Sequence, residues 1–144
     1  MSCYLQRFAI MVYPVTEKFA SYPAAARNIL TGIRILILEQ ARKDGLGAVD
    51  ETLKWGEPSY LIKGGSTIRV DWKPGVPDQV GVYFNCNSSL ISTFRELYGN
   101  LFRFEGNRAI SLALTEPLPK AEHSHCFHLA LNYHKLEKLP LLGA

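Results

Sequence analysis

Four histidines and three cysteines are the side chains of this 144-residue sequence that most directly invite chemistry. Three of the histidines and one cysteine fall in a single stretch, HSHCFH, as His123, His125, Cys126 and His128, with His134 further along. On a helix, His125 and His128 share one face, and His123 and Cys126 share another. A tetrahedral zinc site needs four ligands converging on one point, and two separate faces do not supply that. The expectation is therefore no metal ligands and no tight iron or zinc site. The stretch reads instead as a polar first turn with a half-buried thiol. Cys86 precedes a predicted helix N-terminus, a setting that favours a thiolate, and nucleophilic catalysis would also need a base beside it. A cysteine ending an apolar strand is more often a small core residue. No catalytic set is expected, and an enzyme of unknown chemistry stands as one alternative.

A second group of residues suits binding. The stretch Leu53–Tyr60, LKWGEPSY, holds two large aromatics around a glycine and a proline. Pro58 pushes Glu57 towards an extended backbone, so Trp55, Glu57 and Tyr60 are expected to form a rigid rim. Arg69 projects from the polar face of its strand, while Arg95, Arg103 and Arg108 are interleaved with Tyr98, Phe102 and Phe104. Guanidinium groups take carboxylates and phosphates two hydrogen bonds at a time. The expectation is a cleft lined by Trp55, Glu57, Tyr60, Arg69 and Arg108 for a small anionic molecule, with no cofactor. Ion pairing within the protein is the alternative for the arginines, and core filling is the alternative for Trp55.

The elements that must position these residues are legible from periodicity. Apolar residues at three- and four-residue spacing predict a helix over Tyr22–Lys43, capped by Ser21, with Pro23 in its first turn and Gly45 just past its end. Ser59–Lys63 and Ser66–Trp72 are predicted strands around a Gly64-Gly65 hairpin turn. Ile68, Val70 and Trp72 alternate with Thr67, Arg69 and Asp71. A further strand covers Gln79–Asn85, and a helix covers Ser89–Tyr98 after NCNSS. Leu101–Phe104 and Arg108–Leu114 form a hairpin around Glu105-Gly106-Asn107, and Lys120–Lys138 is a last helix. Strands joined by hairpins, with helices grouped on one face, predict a single α+β domain with an antiparallel sheet of five or six strands. In the tail, Leu139, Leu141 and Leu142 surround Pro140 and are expected to pack back on the domain or to make a homodimer.

Composition narrows the function classes. Apolar residues make up 47% and charged residues 20%, with a net charge of +3. The basic residues are spread along the chain rather than gathered in a run, so no nucleic-acid partner is expected. Odd-numbered cysteines without C-x-x-C spacing suit reduced thiols. The apolar run before Pro14 is too short for a secretory leader, and Ile29–Leu38 cannot span a bilayer. A cytoplasmic protein with no membrane partner is expected, either a monomer or a homodimer.

The W-G-x-P-x-Y element at Trp55–Tyr60 and the F-x-F-E-G-N-R-A-I element at Phe102–Ile110 resemble the YdhG-like family of small bacterial domains, domain of unknown function eighteen-oh-one. The similarity runs from about Tyr22 to Tyr133. It implies a compact α+β fold with an antiparallel sheet. Some members are described as frataxin-like iron chaperones, so the resemblance implies iron or metal handling as a further alternative. Hard cations need several carboxylates within reach of one another. The predicted first helix carries Arg27, Arg34, Arg42 and Lys43 against Glu39 alone.

Overall fold

A computed structural model describes residues 13–144; Cys3 and most of the apolar run ahead of Pro14 lie outside the described residues. The helix expected over Tyr22–Lys43 is present as α2 (Ala24–Lys43), and a further helix that periodicity did not point to, α1 (Tyr13–Ser21), precedes it. Pro23 does not enter the first turn but stands at the N-cap of α2 with an extended backbone. It has no N–H to continue the ladder, so the chain breaks there. Six strands follow: β1 (Asp50–Lys54), β2 (Glu57–Leu61), β3 (Ile68–Asp71), β4 (Gln79–Tyr83), β5 (Arg103–Glu105) and β6 (Ala109–Ala113). Helix α3 (Leu90–Tyr98) lies between β4 and β5, and α4 (Lys120–Leu131) and α5 (Tyr133–Leu136) close the chain with a 3₁₀ turn at Pro140–Gly143. The expected last helix is thus divided at Asn132.

The sheet is antiparallel throughout, in the order β1-β2-β3-β4-β6-β5. Register places Tyr60, Ile68, Val70, Val82 and Ile110 on one face. They are buried in one cluster with Leu30, Ile33 and Ile37 of α2, Leu90 and Phe94 of α3, and Phe127 and Leu131 of α4. The opposite face carries Glu57, Ser59, Arg69, Asp71, Tyr83 and Ser111, as the side-chain period of two requires. Fold class and antiparallel sheet agree with the sequence expectation. Among the described residues, no helix is long and apolar enough to cross a membrane.

The glycine pair does not make the predicted hairpin turn. Residues 62–67 form a loop tied to the C-terminal helices, where Ser66 N–H donates to the Ala130 carbonyl and His134 N–H to that of Gly64. A Cβ at Gly65 would meet the Leu131 carbonyl oxygen at 2.6 Å, so this glycine serves close approach between loop and helix. The two-residue hairpin sits instead at Trp55-Gly56, because Asp50–Lys54 is a strand that the sequence reading omitted. In the tail, Leu142 is buried while Leu139 and Leu141 are about half exposed, so part of the tail packs back.

Candidate functional site

The β1–β2 turn has positive φ at both central residues, 51° at Trp55 and 77° at Gly56. That is the backbone of the tight hairpin turn whose twist matches the strands, and it normally selects Asn-Gly or Gly-Gly. A tryptophan in the first position is unexpected, and its side chain is 87% exposed. Core filling is therefore ruled out for Trp55. The Arg69 guanidinium lies 5.4 Å from the indole centroid, within cation–π reach.

Beneath this ring the polar face of the sheet carries a connected set of charges. Glu57 accepts from Arg69 Nε at 3.0 Å and from Lys73 Nζ at 2.8 Å. Lys73 also donates to Asp71 at 3.0 Å. Asp71 in turn accepts from Tyr22 Oη at 2.6 Å, and Lys18 Nζ stands 4.0 Å away. Burial alone would lower the Lys73 ammonium, but its bonds to Glu57 and Asp71 outweigh that and hold its pKa above the usual lysine range. Burial and the bond to Asp71 push the Tyr22 phenol well up. Three cations face two carboxylates here, a local excess of positive charge. Lys73 and Arg69 keep exposed side-chain surface, at 44% and 28%, so the cationic side of the set is open to solvent.

Of the five residues expected to share a cleft, Trp55, Glu57 and Arg69 do come together, on an open surface. Tyr60 and Arg108 do not. Tyr60 lies on the apolar face, fully buried, because alternation along β2 points it away from Glu57 and Ser59. It stands across the ladder from Glu51. There Arg34 makes a two-point ion pair with Glu51, at 2.6 and 3.1 Å. Burial, with the Glu51 charge added, raises the Tyr60 phenol. Arg108 is exposed in the β5–β6 turn, at the opposite end of the sheet from Trp55. The remaining arginines are engaged locally, as sequence reasoning allowed: Arg95 donates to the Gly106 carbonyl and lies 5.0 Å from the Phe104 ring centroid, and Arg103 reaches Glu116 at 3.4 Å.

The histidine stretch divides as its spacing predicts. His123 and Cys126 face the core and are fully buried. His123 Nδ1 lies 2.9 Å from the Pro119 carbonyl, which can only accept, so Nδ1 carries the hydrogen. Burial lowers the His123 pKa and raises that of the Cys126 thiol, which argues against a thiolate nucleophile. His125 and His128 face outward. His125 Nδ1 is 2.6 Å from Tyr98 Oη, and His128 Nδ1 is 2.7 Å from Asp44 Oδ2. Among the described residues, no three His, Cys, Asp or Glu side chains group so as to hold a metal ion. Cys86 is exposed.

A cavity of about 140 Å³ lies between Phe102, Arg103, Ser111, Glu116 and the Pro117–Pro119 loop. None of the five expected residues lines it, and it falls below the roughly 300–1,000 Å³ of ordinary ligand pockets. Compared with family models, with curated proteins and with solved structures, the chain returns no match.

Proposed function

We propose that this protein is a non-catalytic binding module that takes a small anionic molecule on the open Trp55–Arg69–Lys73 surface rather than in a cleft. One observation carries the reading: a large aromatic occupies a left-handed turn position and leaves 87% of its side chain in water. That backbone costs a non-glycine residue roughly 1–2 kcal/mol, and so exposed a ring returns little of it through burial. A role outside the folded domain accounts for such a residue better than folding does. The cationic excess beneath the ring supports an anion as the ligand, with the indole offering a flat apolar face. The reading includes a cytoplasmic, YdhG-like domain, supported by the sequence resemblance at Trp55–Tyr60 and Phe102–Ile110.

The test uses indole fluorescence in a Trp72→Phe background, so that Trp55 alone reports, with benzoate, inorganic phosphate and adenosine monophosphate as probes. Saturable quenching by at least one probe, lost in Lys73→Gln at unchanged fold, is expected. Isothermal calorimetry with Trp55→Ala should show the same loss. No response from the three probes, or equal binding by both variants, would overturn the reading.

A further inference from the structure

We propose that His125 and His128 form an open two-histidine site for a divalent transition-metal ion of the imidazole-preferring class, such as zinc or nickel. The two rings stand on one face of α4, three residues apart, with planes 20° from parallel and centroids 6.5 Å apart. Each is held by its inner nitrogen. His128 Nδ1 meets Asp44 Oδ2 at 2.7 Å, and His125 Nδ1 meets Tyr98 Oη at 2.6 Å. Within the described residues neither Nε2 makes a hydrogen bond, so both outer nitrogens are left for a ligand.

This is how metal-binding histidines are prepared in proteins: the other ring nitrogen is anchored by a carboxylate or another polar group, which fixes the tautomer and the ring direction. Asp44 is itself built in. Gln40 Nε2 donates to Oδ1 and Asn132 Nδ2 to Oδ2, each at 3.0 Å. An ionised carboxylate only accepts, so His128 Nδ1 carries the hydrogen and Nε2 the lone pair. The Tyr98 hydroxyl both donates and accepts, so it accommodates either His125 tautomer, and a metal ion selects the one with hydrogen on Nδ1 and a free Nε2.

Two protein ligands make an open site in which water fills the other positions, unlike the closed four-ligand sites of structural zinc. The ring centroids must approach by about 1 Å for one ion to sit at ordinary Zn–N distance from both Nε2 atoms. Small tilts of both rings towards each other, about their Nδ1 anchors, can supply that movement, and His128 is 39% exposed. Imidazole pairs suit zinc, copper and nickel, whereas magnesium and calcium prefer oxygen.

The test is calorimetric titration with zinc ion at neutral pH. The protein carries Cys3→Ser and Cys86→Ser, because thiols would bind zinc themselves. One equivalent is expected to bind. It should vanish in the His125→Asn/His128→Asn variant, persist in His134→Ala, and weaken about tenfold to a hundredfold in Asp44→Asn, the range for losing an anchoring partner. Circular dichroism and melting curves establish that each variant is folded. The proposal is overturned if the double-histidine variant binds as the parent does, if His134→Ala abolishes binding, if Asp44→Asn leaves the affinity unchanged, or if the parent takes up no zinc.

Discussion

At the scale of single residues, Trp55 sets two energies against each other. Its left-handed backbone costs roughly 1–2 kcal/mol, and its contact with Arg69 returns about 0.5–1 kcal/mol at an exposed site. Asparagine adopts the same backbone far more readily and is the preferred partner of glycine in this turn. Trp55→Asn should therefore stabilise the protein by up to about 1 kcal/mol in chemical denaturation. The same change should remove ligand binding, separating stability from function at one position. A loss of more than about 1 kcal/mol would instead assign the ring a packing role within the fold. That Trp55, Glu57 and Arg69 belong together was legible, since β-strand alternation and short connections bring them to one face. The exposure of Trp55 was not, because two aromatics around Gly56 and Pro58 fit a bent buried strand as well as a turn.

At the scale of elements, the failures of sequence reading have a common cause. DETLK has one apolar residue, so nothing in its own pattern marks β1; pairing with β2 makes it a strand. Gly64-Gly65 carries a hairpin signal, yet its use is tertiary, set by a carbonyl of α4 about 65 residues away along the chain. Local patterns cannot report contacts of that kind. Gly65→Ala should accordingly cost about 1–3 kcal/mol, as overpacking does, and hydrogen exchange should quicken at Ser66 and His134, whose amides bridge the loop and the helices. Unchanged exchange at both amides would show that the loop does not depend on this close approach. Arg108 was misplaced for a related reason. Its hairpin was recognised, but the crossover that puts β6 beside β4 sends its turn to the far end of the sheet from Trp55.

At the scale of the whole molecule, His123 couples folding to pH. Among the described residues its Nε2 is buried without a partner, and burial lowers the ring's pKa in the folded chain. Once unfolded, the ring takes up a proton below its ordinary value of 6.5. Because the folded pKa is the lower one, the stability this neutral ring preserves is present above that pH and drains away as the pH falls below it. Melting curves of the natural protein should therefore slope downward from about pH 6.5 to pH 5, and His123→Phe should flatten that slope whatever its absolute stability. An identical slope in both would remove His123 from the account. A different consequence follows from the packing of α2 against α4. During synthesis, α2 emerges long before residues 120–131 exist to cover it, at only some 5–20 residues per second. For seconds the nascent chain thus carries Leu30, Ile33 and Ile37 without their final partners. Ribosome-proximal chaperones would meet this apolar stripe first, and α4 would be the latch that withdraws it from them.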